Sequence, residues 1–366
     1  MRSLLLVFII ALCPWVHSQT TNVPDSNFEQ ALIDFGYDTG TPDGVVPTSN
    51  ISTVVYLDVS QKNIADLTGI EDFDSLDILD VTANQLTSLN VTGNPLLSVL
   101  RGGNNQLTSL DLSQNPMLTE LKVWLNNLST LDLSSNSNLT LIEAFNNQIT
   151  NLNLSGLIDL NAINLNNNLL DSIDVTQNTN LTYLLLNQNQ ISQLNITQNS
   201  ALGHLQCEEN QLSELNVTQN TGLLDLRCRA NQLTGLNISL NTILTSLVCS
   251  ENQLVCLDVS NGNNTNMTTF ITVSNLNLAC IEVDNEIWAA TYWTIAGGNI
   301  DPISSFSANC INPCYSSLSE IEDTPKKLLR IVDYMGRDTN PVFNAPLFYM
   351  YNDGSVDRIY KSHNSQ

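Results

Sequence analysis

The residues that could do catalytic chemistry are few and scattered in this sequence. Its three histidines, His17, His204 and His363, lie far apart, and there is no G-x-S-x-G turn, phosphate-cradling glycine loop or HExxH motif. The adjacent acids Glu208 and Glu209 belong to a chain with 36 acidic residues, which favours solvated surface over an acid/base pair. The sequence therefore predicts no enzyme and no cofactor. It also predicts no bound metal, since no D-x-D-x-D loop of the kind that binds calcium occurs.

Cysteine is the other reactive residue type, and its spacing separates two groups. Cys207, Cys228 and Cys249 recur at one constant interval. The second group comprises Cys256, Cys280, Cys310 and Cys314. In an oxidising compartment the second group predicts a disulfide-stapled end, with the pairing left open. A zinc site is the alternative interpretation, but paired CxxC elements and a neighbouring histidine are absent.

Composition and the amino terminus bear on compartment and partners. With 36 acidic against 12 basic residues the net charge is −24, which argues against nucleic acid and against docking on anionic lipid. Residues 1–18 read as a secretory signal peptide: a basic residue, a short apolar run and small residues before Gln19, where we expect cleavage. Lipid attachment at Cys13 is disfavoured because bulky Leu12 precedes it. No later segment predicts membrane insertion.

An asparagine recurs at the same interval as these three cysteines, without a slip, and apolar residues keep fixed places around it. The members of this asparagine ladder are Asn84, Asn105, Asn126, Asn147, Asn168, Asn189, Asn210, Asn231 and Asn252. A fixed period of this kind predicts a solenoid, because one coil cannot bury its own apolar side and stacked coils share a continuous core. The alternation across residues 121–124 predicts a strand with one face inward, so that ten coils form a parallel sheet.

The pattern LxxLx(V/L/C)xxNxLxxLxL over residues 54–283 resembles the leucine-rich repeat family, and its short unit resembles the internalin-type bacterial branch. The first coil resembles the family's NIxDLxGIE variant at residues 63–71, with Lys62 at the ladder position. The resemblance implies an α/β solenoid with its parallel sheet on the concave face. The ladder amides are expected to satisfy backbone groups of their own and the neighbouring coil. Cys207, Cys228 and Cys249 fall at an inward position and are expected to be inert buried thiols.

Both ends of the array are expected to carry caps, because an open end would expose apolar surface and an unpaired strand edge. Residues 19–53 predict an amino-terminal cap with a helix that starts after Asp25 and buries Phe28, Ala31, Leu32 and Phe35. Its segment 23–33 (VPDSNFEQALI) resembles the cap of Bacteroidetes-type leucine-rich proteins. Residues 284–314 predict a carboxy-terminal cap in which Trp288, Trp293 and Phe306 cover the last coil.

The tail differs in composition from the rest of the chain. A polar linker at 315–325 precedes a basic segment, 326–366, with strand-like runs and an Asn-Asp-Gly hairpin turn at 352–354. Residues 331–337 (IVDYMGR) and the closing hairpin resemble the sorting domain of the type IX secretion system. The resemblance implies the secretion machinery as a partner and an outer-surface or extracellular destination. A small β appendage or a dimerisation hairpin is the alternative.

Candidate binding residues lie at outward positions of the concave strands, where most of the scarce cations and several aromatic rings gather. They are Arg101, Lys122, Trp124, Glu143, Phe145, Tyr183, Arg227 and Arg229. We hypothesise a ligand patch centred on Trp124 and Phe145 and a second, cationic patch at Arg227 and Arg229. The sequence thus predicts a non-catalytic extracellular binding or adhesion protein that recognises a protein or a glycan. A structural, self-associating surface component is the alternative.

Overall fold

The chain divides into two compact units, residues 1–314 and 315–366. The computed structural model describes residues 19–310 of the first unit and three strands of the second. The predicted signal peptide, the linker at 315–325, Cys314 and the turn at 352–354 lie outside the described residues. No helix among the described residues is long and apolar enough to cross a bilayer.

The first unit is a solenoid whose coils each contribute one short strand to a parallel sheet of eleven strands. The strands are β3 (Tyr56–Asp58), β4 (Ile78–Asp80), β5 (Val99–Arg101), β6 (Glu120–Lys122), β7 (Leu141–Glu143), β8 (Ala162–Asn164), β9 (Tyr183–Leu185), β10 (His204–Gln206), β11 (Asp225–Arg227), β13 (Ser246–Val248) and β15 (Thr269–Ile271). They pair in register, so that Leu121 lies between Leu100 and Ile142. The sheet has one strand more than the ten coils expected.

The apolar residues form one continuous core along the solenoid. Leu121 and Val123 are buried and alternate with partly exposed neighbours, as a strand with one inward face requires. The only helical turns within residues 54–283, all of which are described, are the short 3-10 segments Ile70–Asp72 and Asn264–Asn266. The array is therefore a parallel β-solenoid with the leucine-rich repeat arrangement, and the α-helices of the described residues belong to its caps.

Each ladder asparagine joins three stretches of backbone. Asn126 accepts the N–H of Leu107 at 2.9 Å and donates through Nδ2 to the carbonyls of Gly102 and Val123 at 3.0 and 3.1 Å. The bonds to Leu107 and Gly102 reach the preceding coil, so the amide satisfies backbone groups that the buried turn would leave unpaired. Asn275 makes the same set with Leu254, Cys249 and Thr272. This tenth member escaped the sequence pattern because it follows Asn252 at a longer interval than the fixed period.

The opposite side of the coils carries a second ladder and a smaller sheet. Asn136 and its equivalents are buried and donate through Nδ2 to carbonyls of the preceding coil. Towards the carboxy end this side forms a parallel sheet of strands β12 (Gly235–Asn237), β14 (Cys256–Asp258), β16 (Cys280–Glu282) and β17 (Ser305–Ser307). The pairing of β14 with β16 sets Cys280 beside Cys256.

The amino-terminal cap combines strands β1 (Thr20–Asn22) and β2 (Val45–Pro47) with helices α1 (Ser26–Asp34) and α2 (Thr48–Ile51). The Asp25 side chain accepts from Asn27 and Phe28 at the start of α1 and from two N–H groups of the first coil. Burial would raise the pKa of Asp25, but these four donors together hold it below its ordinary value. The prediction for Phe35 was wrong, because Phe35 follows the last helical residue and is 46% exposed.

The carboxy-terminal cap consists of helix α3 (Glu286–Tyr292) and strand β17. Trp293 is buried and stacks on Phe270 of the last concave strand, while Trp288 and Phe306 are partly buried against the same core. The backbone carbonyl of Asn299 accepts the N–H of Thr272, which satisfies part of the sheet edge. A disulfide joins Cys280 to Cys310, and Cys256 is also disulfide-bonded. The expected stapled end is thus present.

The second unit contains an antiparallel sheet of strands β18 (Leu328–Val332), β19 (Pro346–Tyr351) and β20 (Val356–Tyr360). The central strand β19 pairs with both of the others, and Leu347 lies opposite Ile359. These strands coincide closely with the strand-like runs of the sequence.

Candidate ligand-binding face

Three side chains of each coil point from the strand into the concave face. In the coil of β6 these are Glu120, Lys122 and Trp124, each partly exposed. Because the strands pair in register, each outward position forms a column from coil to coil. We call these the first, third and fifth columns, with Glu120 in the first, Lys122 in the third and Trp124 in the fifth.

The residue that follows the fifth column has a left-handed backbone in coil after coil. These residues are Gln61, Ala83, Asn104, Leu125, Asn146, Asn167, Gln188, Glu209, Ala230, Glu251 and Ser274. The conformation turns the chain sharply, so that the next residue, the ladder asparagine in most coils, points inward. Leu125 is the least suited of them, since a branched apolar side chain gains no local hydrogen bond there. It is 43% exposed and lies directly beside Trp124.

Trp124 and Phe145 form an aromatic stack in the fifth column. Their rings are parallel within 3° and their centroids are 5.5 Å apart, which is an offset stack. The indole also leans over Gly103 in the preceding coil, where a Cβ would come within 2.5 to 2.8 Å of three indole atoms. Because Gly103 has no side chain, it leaves the space that the Trp124 indole occupies, and we call this space the seat of the tryptophan. The sequence identified both rings but not Gly103. The sequence signal for this role is a glycine at the fifth-column position of the coil that precedes Trp124.

A chain of ion pairs runs beside the aromatic stack. Arg101 contacts Glu120 at 3.0 Å, and Lys122 lies 3.4 Å from Glu120 and 3.7 Å from Glu143. All four side chains are partly exposed, so each pair is worth less than about 1 kcal/mol. These pairs place basic and acidic side chains alternately along the face, and each of the two cations has a carboxylate partner.

Tyr183 and His204 form a second stack, in the first column. Their centroids are 4.4 Å apart and their planes differ by 5°. Tyr183 lies two coils beyond Phe145 and occupies a different column. The contact between His204 and Tyr183 was not predicted from the sequence, because Tyr183 lies one repeat earlier and becomes the neighbour of His204 only when the coils stack.

The coil between the two stacks presents amides instead of rings. Its outward residues are Ala162, Asn164 and Asn166, all partly exposed. Asn164 Oδ1 accepts the N–H of Asn166, and Asn166 Oδ1 accepts the N–H of Asn187 at 2.7 Å. Within the described residues neither Nδ2 group donates to a protein acceptor. We call residues 162–166 the amide coil.

The arginines further along the sheet are ion-paired. Arg227 contacts Asp225 at 3.1 Å, and Arg229 contacts Glu209 and Glu251 at 2.9 Å each. The hypothesis of a cationic patch there is therefore revised: carboxylates balance both guanidinium groups. Burial raises the pKa of Glu208, against the lowering influence of the two arginines. Hydrogen bonds from Gln188 and Arg229 lower the pKa of its neighbour Glu209. The pKa values of the two adjacent glutamates are therefore shifted in opposite directions.

The three repeat cysteines lie inside the solenoid. Cys207, Cys228 and Cys249 are buried and free. Burial raises the pKa of Cys207 and of Cys249 to about 12 and that of Cys228 well above its ordinary value. A thiol in such surroundings stays protonated and is a poor nucleophile, in line with the inert role expected from the sequence.

Among the described residues, one group of carboxylates in the amino-terminal cap has the spacing to hold a metal. Oxygen atoms of Glu29, Asp38 and Asp43 lie within 4.8 Å of one another. Both carboxylate oxygens of buried Glu29 already accept backbone N–H groups, from Asp43 and Gly44. The group has a structural explanation in this loop.

Comparison with solved structures places the fold. The functional domain of InlJ from Listeria monocytogenes, which includes a cysteine ladder, is 27% identical with a TM-score of 0.59, over 73% of this chain and 68% of that one. A leucine-rich repeat protein of Leptospira interrogans is 25% identical with a TM-score of 0.54, over 57% of each chain. The internalin InlF of Listeria monocytogenes, at 21% identity and a TM-score of 0.52, supports the fold alone.

No protein-family model matches the chain, and no curated protein sequence matches it. The chain is thus a leucine-rich repeat solenoid similar to internalin-type proteins, and its concave face has to be interpreted from its own residues.

Proposed function

We propose that this chain is a secreted, non-catalytic binding or adhesion protein that holds an extracellular protein or glycan against its concave face. The observation that carries the proposal is the Trp124–Phe145 stack, a partly exposed pair of rings beside the ion-paired side chains of Lys122 and Glu143. Large rings that are already ordered give contact area at little cost in conformational entropy, which is why they dominate binding hot spots.

The remaining features support the same role. The charged side chains beside the rings are ion-paired with one another, and the thiols of the repeat cysteines are buried and protonated. The disulfide between Cys280 and Cys310 suits an oxidising, extracellular compartment. The three-stranded carboxy-terminal unit would be the export signal read by the type IX secretion machinery.

The test compares the purified secreted chain with the double variant Trp124→Ala/Phe145→Ala on arrays of extracellular proteins and glycans. Circular dichroism should be unchanged and specific capture abolished. The control is Leu96→Ala/Met117→Ala, which removes two side chains that are each 52% exposed and lie outside the concave columns. Capture that survives the ring deletions would overturn the proposal. Concentration-dependent self-association lost in the same variant would favour the structural alternative.

A further inference from the structure

The amide coil lies between the two aromatic stacks, and the free faces of the rings border it on both sides. Trp124 covers one face of Phe145, so the other face is directed toward the coil of Asn166. His204 likewise covers the side of Tyr183 away from Ala162. Ala162 and the two asparagines are smaller than the rings, so the concave face dips here between Phe145 and Tyr183.

The floor of this dip offers hydrogen-bond donors that the described part of the protein does not use. The Oδ1 atoms of Asn164 and Asn166 are engaged by backbone N–H groups, which fixes the two amides. Their Nδ2 groups, with two N–H donors each, are left for a ligand that carries neutral acceptors. Asn187 contributes less, because one of its two Nδ2 donors is used by Gln206 at 3.1 Å.

We propose that this dip binds a neutral oligosaccharide, with sugar rings on Phe145 and Tyr183 and hydroxyl groups on the amides of Asn164 and Asn166. This inference rests on the proposed binding function and specifies its ligand class. A pyranose ring combines an apolar C–H face, which packs on an aromatic ring, with hydroxyl oxygens that accept from amides.

Charge and dimensions favour a neutral, extended ligand. The amide coil carries no charge, and the nearest cation among the described residues, Lys122, is paired with Glu120 and Glu143. An anionic polysaccharide would have to approach a chain of net charge −24 without a free cation on this part of the face. Phe145 and Tyr183 are separated by two coils and four strand positions, roughly 16 Å on the diagonal. That span suits several linked sugars better than a monosaccharide.

The experiment uses the full secreted chain and four neutral probes: cellohexaose, chitohexaose, maltohexaose and mannohexaose. Heparin and a galacturonate oligomer serve as anionic probes. We expect at least one neutral probe to bind and to alter tryptophan fluorescence, and the anionic probes not to bind. The key variant is Asn164→Asp/Asn166→Asp. It keeps both Oδ1 acceptors, and with them the observed hydrogen bonds, but removes the Nδ2 donors. We expect binding to weaken at least about tenfold, the loss of roughly one good hydrogen bond.

The matched control is Asn153→Asp/Asn195→Asp, which makes the same charge change at positions where sibling coils carry Asp132 and Asp174. Tyr183→Leu gives a second variant and should also weaken binding while the circular dichroism spectrum is kept.

The outcomes separate this inference from the proposed function. Equal binding of a neutral probe by the Asn→Asp variant would overturn the assigned site. Binding of proteins, but none of the four probes, through Trp124 and Phe145 would overturn the glycan assignment and leave the proposed function intact. A concave face that binds nothing would overturn both.

Discussion

The two sides of the concave strands follow opposite rules. On the inward side a leucine or isoleucine fills the middle of nearly every strand, and an asparagine closes the turn that follows it. On the outward side the residue type varies from coil to coil. Within the fifth column, for example, it changes from glycine to tryptophan, phenylalanine, asparagine, glutamate and arginine. The inward positions are uniform because each coil has to pack against a neighbouring coil of the same shape. Positions that vary are free of that demand, and the binding features lie among them.

The solenoid core contains two asparagine ladders, one that follows the concave strands and one on the opposite side of the coils, and they differ in how many of their polar atoms are hydrogen-bonded. In the ladder of Asn126 both ends of the amide are hydrogen-bonded. In the second ladder the Nδ2 groups are used, but the buried Oδ1 atoms have no partner among the described residues. Its members with this property are Asn94, Asn115, Asn136, Asn178, Asn199, Asn220 and Asn241. The comparison predicts that the first ladder contributes more to stability.

The largest expected effect is that of Asn126→Ala. It would leave the Leu107 N–H unpaired inside the solenoid, at a cost of about 2–3 kcal/mol in the free energy of unfolding. The Gly102 and Val123 carbonyls would each lose one of two amide donors and keep those of Asn105 and Asn147. Denaturant unfolding followed by circular dichroism measures it. Asn136→Ala is the matched control, since it loses only two bonds, to Leu112 and Asn115. An equal or larger loss in Asn136→Ala would contradict the ranking of the ladders.

Gly103→Ala tests the outward side, where we expect function to change more than stability. The new methyl group would occupy the seat of the Trp124 indole and unstack it from Phe145, costing about 1 kcal/mol. Tryptophan fluorescence should shift and ligand binding should fall as in the ring deletions. Gly203→Ala is the control, because its Cβ would make only ordinary contacts at 3.7 Å and beyond. Unchanged fluorescence in Gly103→Ala would refute the role of the seat.

Leu125→Asn should stabilise the protein. Leu125 has a φ of 50°, whereas the same turn position carries asparagine at Asn104, Asn146 and Asn167. Asparagine tolerates the left-handed region better, so we expect a gain of about 0.5–1 kcal/mol in the unfolding free energy. The denaturation midpoint reports it. Destabilisation would mean that the Leu125 side chain makes a packing contribution that outweighs its backbone strain.

The smallest effect concerns acid stability at the turns on the opposite side. Asp111, Asp132 and Asp174 each accept the backbone N–H two residues later. These bonds lower the pKa of Asp111 and Asp132, and at Asp174 the Thr176 hydroxyl lowers the pKa most, followed by the backbone N–H. A lowered folded-state pKa adds stability above the unfolded value, about 3.9, that is lost as the pH falls through the folded pKa. Sibling coils use Asn90 and Asn195 in the same turn.

The triple variant Asp111→Asn/Asp132→Asn/Asp174→Asn should therefore keep the turns while its melting temperature falls less steeply below about pH 4. Melting curves between neutral and acidic pH measure this, with little change expected at neutral pH. If the melting temperature of the triple variant falls as steeply in acid as that of the original chain, the titrating groups responsible are other residues.

The sequence predicted the solenoid, its caps and the Trp124–Phe145 pair because all three depend on local period or on neighbours one repeat apart. It missed Asn275, since an insertion at Asn261–Asn266 shifts the period where that residue falls. It missed the Tyr183–His204 stack, whose sequence signal is that the two residues stand one repeat apart. It read Arg227 and Arg229 as a cationic patch. The partners of Arg229, Glu209 and Glu251, come from the two adjacent coils, whereas the partner of Arg227, Asp225, stands two residues earlier in the same strand.

The fixed repeat period alone determines that this chain coils, which residues face inward and where each turn must fall, because stacking identical units leaves only one way to bury the leucines. Only the tertiary structure decides what the concave face offers. Whether a ring leans on a glycine, whether a cation is balanced and whether an amide keeps a free donor depend on side chains of adjacent coils. Those contacts are set by packing across the sheet, which the order of residues within one coil does not contain.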